Sequence, residues 1–217
     1  MRNLRDAVVV VVGATGGLGA PIAEELRARG AVVLGAGRSG PDIALDLRDS
    51  GAGDALVRGA LGTQGRLDGV VNAAGVVAFG DLTNTAEVTI EELFLVNALG
   101  PLWLARSVMP TLMESKGFFG AITGVVAEQA FPGMVPYCAS KVALSHGLVG
   151  LRREVRRHGV HIADFRPPHT ETGLAGRPIE GTAPAFKAGL SPDSVARRIV
   201  DAIAADEAEV SSVNFGG

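Results

Sequence analysis

Apolar runs of strand length alternate with stretches of helical periodicity along nearly the whole chain. Val8–Val12 is an unbroken β-branched run, the composition of a strand covered on both faces. The glycine-rich turn Gly13-Ala14-Thr15-Gly16-Gly17-Leu18-Gly19 follows, and then a helix to about Arg29 with Ile22, Ala23 and Leu26 as its apolar side. Pro21 falls in its first turn, where a missing N–H costs little, and Gly30 ends it. Ala31–Leu34 reads as the second strand. This βαβ order predicts an α/β fold on a parallel sheet.

A third strand is expected at Ile43–Leu47, so soon after Arg38 that Ser39-Gly40-Pro41-Asp42 has no room for a helix. A parallel crossover ordinarily takes about a dozen residues or more. Either a loop replaces the crossover helix or the third strand pairs weakly. Alternation then resumes: a helix at Ala52–Leu61, a strand at Gly69–Ala73, a long helix from Glu87 to about Met113 with a possible kink at Pro101, and a strand at Phe118–Thr123. A second long helix, Pro136–His158, and a strand, Val160–Phe165, come next. Residues 166–190 form a Pro/Gly/Thr-rich segment, longer than ordinary connections and read as a lid or substrate loop. Pro192–Ala204 is a helix with Ser191 as N-cap candidate, and Val210–Val213 is a candidate last strand.

Residues 1–217 form one expected domain, because no linker, repeat or low-complexity tract divides them. Hydrophobic residues make up 47% and charged residues 20%, which suits a globular chain and argues against disorder. A net charge of −3 gives no general attraction to nucleic acid or an anionic membrane. Cys138 is the only cysteine; an intrachain disulfide is excluded and a reducing cytoplasm is the expected compartment. No metal site is expected: His158 and His161 straddle Gly159 with no cysteine or carboxylate cluster beside them.

The glycine turn lies between a strand and a helix, the context a dinucleotide-binding turn needs. Gly13 permits the tight turn, Gly17 lets backbone approach a pyrophosphate, and Gly19 lets helix and strand pack closely. Arg38 ends the second strand, where an acidic residue would read the ribose hydroxyls of NAD; an arginine instead forks onto a 2′-phosphate. NADP(H) is therefore the expected cofactor. Tyr137 and Lys141 are four apart and share a helix face. A nearby ammonium favours the phenolate and draws a phenol pKa toward working range. Asn72-Ala73-Ala74-Gly75 ends the central strand, at the sheet edge where ligands bind. Asn97 stands inside an apolar helical run, where a buried amide needs partners.

Gly13–Gly19, Gly37-Arg38, Asp46, Asn72–Gly75, Asn97, Tyr137-x-x-x-Lys141 and Arg166–Thr172 together resemble the short-chain dehydrogenase/reductase family in order and spacing, over essentially the whole chain. The resemblance implies a single-domain Rossmann-like three-layer sandwich with a central parallel sheet of about seven strands. It implies hydride transfer between nicotinamide and a carbonyl or alcohol on a small or medium substrate. Tyr137 is then the acid/base, Lys141 its ribose-binding and pKa partner, and Asn97 a relay residue. Along the cofactor it sets Gly13, Thr15, Gly16, Gly17, Leu18, Gly19, Arg38, Asp46, Leu47, Asn72, Ala73, Ala74, Gly75, Tyr137, Lys141, Pro167, Thr170 and Thr172. A homodimer or homotetramer through the two long helices is also implied.

Three departures stand out. The family's catalytic Ser, thirteen residues before the Tyr, is here Gly124; Thr123 is the nearest hydroxyl, and on an extended strand it points to the opposite face unless a bulge intervenes. The crossover helix after Arg38 is missing or very short. Pro168 stands where the family usually has Gly, removing an N–H near the nicotinamide. The first departure motivates a second reading: a weakly or non-catalytic NADP(H)-binding protein, a sensor or partner subunit on the same fold.

Overall fold

The computed structural model of the protein describes residues 1–216. Seven strands form one parallel sheet in the order β3-β2-β1-β4-β5-β6-β7. They are β1 (Val8–Val12), β2 (Val32–Gly37), β3 (Ile43–Ala44), β4 (Gly69–Asn72), β5 (Phe118–Ile122), β6 (His161–Phe165) and β7 (Glu209–Val210). Six α-helices cover it: α1 (Gly19–Ala28), α2 (Ala52–Gln64), α3 (Glu87–Phe94), α4 (Gly100–Ser115), α5 (Val135–Val155) and α6 (Pro192–Ala204). The order reverses between β1 and β4, the switch point at which open α/β sheets leave a crevice for ligands.

The valine run explains the layering. Val8, Val10 and Val12 face one side, packed with Leu56 of α2, Leu104 and Val108 of α4 and Leu144 and Leu148 of α5. Val9 and Val11 face the other, with Ile22 and Leu26 of α1 and Val195, Ile199 and Ile203 of α6. Successive side chains of a strand point to opposite faces, so a central strand buried on both sides must be apolar throughout. A third cluster, including Val77, Phe79, Leu93, Met134 and Tyr137, lies apart from these two.

Several elements depart from the sequence expectation. The third strand shrinks to two residues. Residues 38–42 double back instead of crossing over: Asp42 N–H donates to the Gly35 carbonyl, and the Asp42 carboxylate accepts from Gly35 N–H at 2.7 Å. Both alternatives therefore hold, a loop in place of the helix and a short pairing. The expected helix from Glu87 is interrupted by a π-turn at Leu95–Leu99 before continuing as α4. Pro101 has no N–H to give the Asn97 carbonyl four residues back, and a wider turn is how the helix absorbs that loss. The combined segment Glu87–Ser115 is long and apolar enough to cross a membrane, and half of its most apolar window is buried inside this fold. The second long helix ends at Val155, with a 3₁₀ turn over Arg156–His158. The last strand is Glu209–Val210, followed by a 3₁₀ turn. Pro192–Ala204 is helical as expected, and the Ser191 hydroxyl accepts from Ser194 N–H at 3.2 Å.

Residues 166–190 form a strap closed at its base. Leu190 N–H donates to the His169 carbonyl, Glu171 N–H donates to the Leu190 carbonyl, and Gly189 N–H donates to the Glu171 carboxylate. Farther along, Ile179 N–H donates to the Val77 carbonyl and Phe79 N–H to that of Glu180, so the strap lies along the segment that follows β4.

Candidate active site

A cleft of about 710 Å³ runs from Arg38 to Phe186. Most of the residues expected along a cofactor line it: Gly13, Thr15, Gly16, Gly17, Leu18, Arg38, Asp46, Leu47, Ala73, Ala74, Gly75, Tyr137, Lys141, Pro167, Thr170 and Thr172. Gly19 and Asn72 do not. Gly19 is buried beneath the turn, and a Cβ on it would overlap the Gly13 carbonyl. Asn72 is 1% exposed, and its Oδ1 accepts from Ala74 N–H at 3.3 Å; it shapes the β4 end from below.

The glycine turn is held by Gly13 N–H on the Ala36 carbonyl and Gly16 N–H on the Gly13 carbonyl. Gly13 has φ +81°, in the left-handed region, so glycine is required there. The N–H groups of Thr15, Gly17 and Leu18 have no acceptor among the described residues. They stand at the head of α1, where free N–H groups and the helix dipole favour an anion. Gly17 has a further reason beside the one expected: a Cβ there would overlap the Thr172 carbonyl. The strap, as well as any pyrophosphate, demands its smallness.

Arg38 is exposed at the cleft mouth and makes no hydrogen bond or ion pair to another described residue. Asp46 lines the cleft, but its carboxylate is engaged by Arg48, whose backbone N–H and Nη1 donate to it at 3.0 and 2.9 Å. Desolvation pushes the Asp46 carboxyl up; the Arg48 bonds and the nearby Arg38 outweigh it and hold the group below its ordinary value. Arg48 also donates to Glu92 at 2.5 Å. The carboxylate expected along the cofactor is thus already paired.

Tyr137 and Lys141 line the cleft one turn apart in α5, and both are buried. The Tyr137 hydroxyl has no hydrogen-bond partner among the described residues, whereas Lys141 Nζ donates to the Ile122 carbonyl at 2.9 Å. Burial drives the Tyr137 phenol well above its ordinary value, and the Cys138 thiol beside it adds to the rise. The expected depression by Lys141 is not among the causes of this shift; both act upward. Burial also lowers Lys141, from 10.5 to about 8, with Asp164 acting in the opposite sense. Cys138 is a buried packing residue of the third apolar cluster.

Asn97 is fully buried. Its Oδ1 accepts from Val76 N–H at 3.0 Å, and its Nδ2 donates to the Val76 carbonyl at 2.9 Å and to Ser140 Oγ at 3.1 Å. It clamps the chain after β4 onto α5. A Cβ on Gly75 would sit 3.1 Å from Asn97 Oδ1 and 3.2 Å from Lys141 Nζ, so Gly75 leaves room for both side chains.

Thr123 borders the cleft, but its hydroxyl is engaged by Asp164. The Thr123 N–H and that of Gly124 both donate to the Phe165 carbonyl, at 2.9 and 3.2 Å, a doubled contact like that of a bulge. Yet its side chain stays inward: the residue is 1% exposed and Oγ1 donates to Asp164 Oδ1 at 2.5 Å. Gly124 has φ +84° and ψ 167°, a combination essentially restricted to glycine. A Cβ there would meet nothing closer than 3.8 Å. Space for a side chain exists; the backbone to carry one does not.

An apolar wall of the cleft contains Phe131, Met134, Leu174 and Phe186; Val135 is exposed and lies outside it. His169 lines the cleft and stacks on Phe186 with centroids 4.6 Å apart. Pro168 is engaged through its carbonyl, which accepts from Thr170 Oγ1 at 2.9 Å. Arg48, Gln129 and Arg177 also line the cleft and went unread in the sequence, because nothing local marks them. Asp164 went unread too, although a carboxylate inside the apolar run His161–Phe165 must find partners.

The fold and cleft are those of a nucleotide-binding α/β protein, and comparison defines the family. The short chain dehydrogenase family profile matches residues 7–181; the chain belongs to that family. A dehydrogenase/reductase SDR family protein 7-like from Anopheles gambiae is 28% identical over 96% of this chain and 75% of its own length. An uncharacterized oxidoreductase of Staphylococcus aureus is 27% identical over 94% of this chain and 93% of its own. The glycine betaine reductase of Emericella nidulans is 32% identical over 92% of this chain, which spans only 18% of that protein. Among solved structures, a short-chain dehydrogenase from Streptomyces avermitilis superposes with TM-score 0.83 at 26% identity, over 96% of this chain and 90% of that one.

Proposed function

We propose that the protein is an NADP(H)-dependent oxidoreductase that interconverts a carbonyl and an alcohol on a small or medium organic substrate. One observation carries this reading: a single cleft joins three unspent backbone donors at the head of α1, an unpaired Arg38, and the buried Tyr137/Lys141 pair. The donors suit a pyrophosphate, and the Arg38 guanidinium suits a 2′-phosphate. Once bound, a nicotinamide supplies or takes the hydride. Structural neighbours divide over the cofactor: a Thermococcus sibiricus alcohol dehydrogenase was solved with 5-hydroxy-NADP and a Burkholderia cenocepacia short chain dehydrogenase with NADP, but a Burkholderia phymatum one with NAD and a Brucella melitensis reductase with NADH, so the choice of NADP(H) rests on Arg38.

The chain's own part is proton transfer. Tyr137, raised above its ordinary pKa, stands protonated at neutral pH and donates to a carbonyl oxygen as negative charge gathers there. In the reverse direction it takes the proton back. Lys141, cationic below about 8, stabilises the phenolate left behind. The strap over residues 166–190 and the apolar wall hold the substrate and keep water out. NADPH consumption over a panel of aldehydes and ketones tests this reading: turnover is expected, with NADPH preferred over NADH and the preference lost in Arg38→Ala. NADPH binding without turnover on any carbonyl contradicts it.

A second reading is favoured by Gly124 and Thr123, which leave no hydroxyl where the family's serine stands. On it the protein binds NADP(H) without turning over, as a sensor or partner subunit. Binding unaccompanied by oxidation across the panel is its signature.

A further inference from the structure

We infer that Asp164 is the buried anchor and counter-charge that positions Lys141. Asp164 is fully buried at the end of β6, and three donors converge on its carboxylate. Thr123 Oγ1 reaches Oδ1 at 2.5 Å; Ser145 Oγ and Arg166 Nε reach Oδ2 at 2.6 and 2.8 Å. Two of the donors belong to segments that hold the lysine. Thr123 directly follows Ile122, whose carbonyl accepts from Lys141 Nζ. Ser145 is one turn beyond Lys141 on the same face of α5. Arg166 is the root of the strap. One carboxylate therefore ties β5 and α5, which hold the lysine, to the root of the strap.

The charge has a task beyond the shape. An ionised carboxylate is costly to bury unless its partners compensate, and a neutral amide would serve a purely mechanical tie. Burial pulls the Lys141 ammonium down toward its neutral form, and Asp164 opposes that pull. The other groups around this corner are few. On α5 these are the protonated Tyr137 phenol and the Cys138 thiol. On the sheet side, Arg166 pairs with Asp164 and with Glu209, and Glu209 also pairs with Arg152. Arg166 thus offsets part of the Asp164 charge, which gives two substitutions of opposite sign.

The inference rests on the acid–base reading above only in naming Lys141 as the group that matters. The test needs neither substrate nor cofactor, so lack of turnover and failure of this inference are separate results. Lys116, Lys141 and Lys187 are the only lysines, so the full chain labelled with ¹³Cε-lysine gives three signals, and Lys141→Met assigns one of them. Asp164→Asn should lower the Lys141 midpoint by about one pH unit, and Asp164→Glu should return it toward wild type. Arg166→Gln, at a partly exposed position, should raise it, and reports even if Asp164→Asn does not fold. A Lys141 midpoint unmoved in Asp164→Asn, with only thermal stability lowered, would reduce Asp164 to a structural tie and overturn the proposal. An unmoved midpoint in Arg166→Gln overturns it equally.

Discussion

The two ends of the cleft treat their polar groups in opposite ways. At the glycine turn, the N–H groups of Thr15, Gly17 and Leu18 and the Arg38 guanidinium have no partner among the described residues. At the other end nearly everything is spent. The Thr123 hydroxyl goes to Asp164, the Gly124 and Val125 N–H groups go to the Phe165 and Pro167 carbonyls, and the Asn97 amide goes to Val76 and Ser140. The Tyr137 hydroxyl is the conspicuous exception. One end leaves several N–H groups and a guanidinium free; the other leaves the Tyr137 hydroxyl free.

Both ends also depend on glycine, for different physical reasons. At Gly17 and Gly19 there is no room, since a Cβ would overlap the Thr172 or Gly13 carbonyl. At Gly124 there is room, but φ +84° excludes a side chain. The missing serine is therefore not a bare deletion of a hydroxyl. The backbone at that position has taken a path that serine disfavours.

The largest expected effect tests the lone donor. Tyr137→Phe should lower kcat by about 10²–10⁴ with little change in NADPH binding, read by steady-state kinetics beside a fluorescence titration. A loss under tenfold would mean another group supplies the proton. Next comes the crowded glycine: Gly19→Ala should destabilise the fold by about 1–3 kcal/mol or more, the scale of overpacking, read by urea unfolding, and should weaken NADPH binding as the turn shifts. Gly124→Ala should cost about 1–3 kcal/mol through backbone strain while leaving NADPH binding intact. Equal loss of binding in both variants would erase the distinction between the two glycines.

The pH dependence of stability should be broader but gentler. Lys141 binds its proton less tightly when folded, about 8 against 10.5. Between those values the unfolded chain carries more protons, so stability rises with pH. The full cost of burying the ammonium is felt below about pH 8 and relieved above it, by an amount on the order of 3 kcal/mol at most. Tyr137 is shifted up from 10.0, so its contribution is present below pH 10 and lost above. The rise should therefore show between about pH 8 and 10 and flatten in Lys141→Met. A wild-type profile falling across that window would contradict the burial of the lysine.

What was legible in the sequence follows the range of the interactions. Val8–Val12, the glycine turn and the Ser191-capped helix are set by neighbours, and each forms where local pattern puts it. The absent crossover helix could be counted from residues 38–42, although the two-residue length of β3 is decided by pairing across to β2. Strand alternation had already turned the Thr123 side chain away from that of residue 124, and the doubled contact on Phe165 leaves it so. The pairing of Asp46 depends on Arg48, which is itself held by Glu92, 44 residues away. The φ of Gly124 depends on Phe165 and Pro167 across the sheet. No local pattern carries such information. Asp164 differs, because a carboxylate in an apolar strand announces a buried network even when its partners cannot be named.

The decisive question is whether the carbonyl end works without a hydroxyl at position 124. The most direct measurement is kcat/KM of Gly124→Ser against wild type, with NADPH and the best carbonyl substrate of the panel. A backbone committed to glycine predicts a value at or below wild type. A rise of about tenfold or more, approaching the worth of an oxyanion-type donor, would show that the serine was simply missing, and would contradict the account.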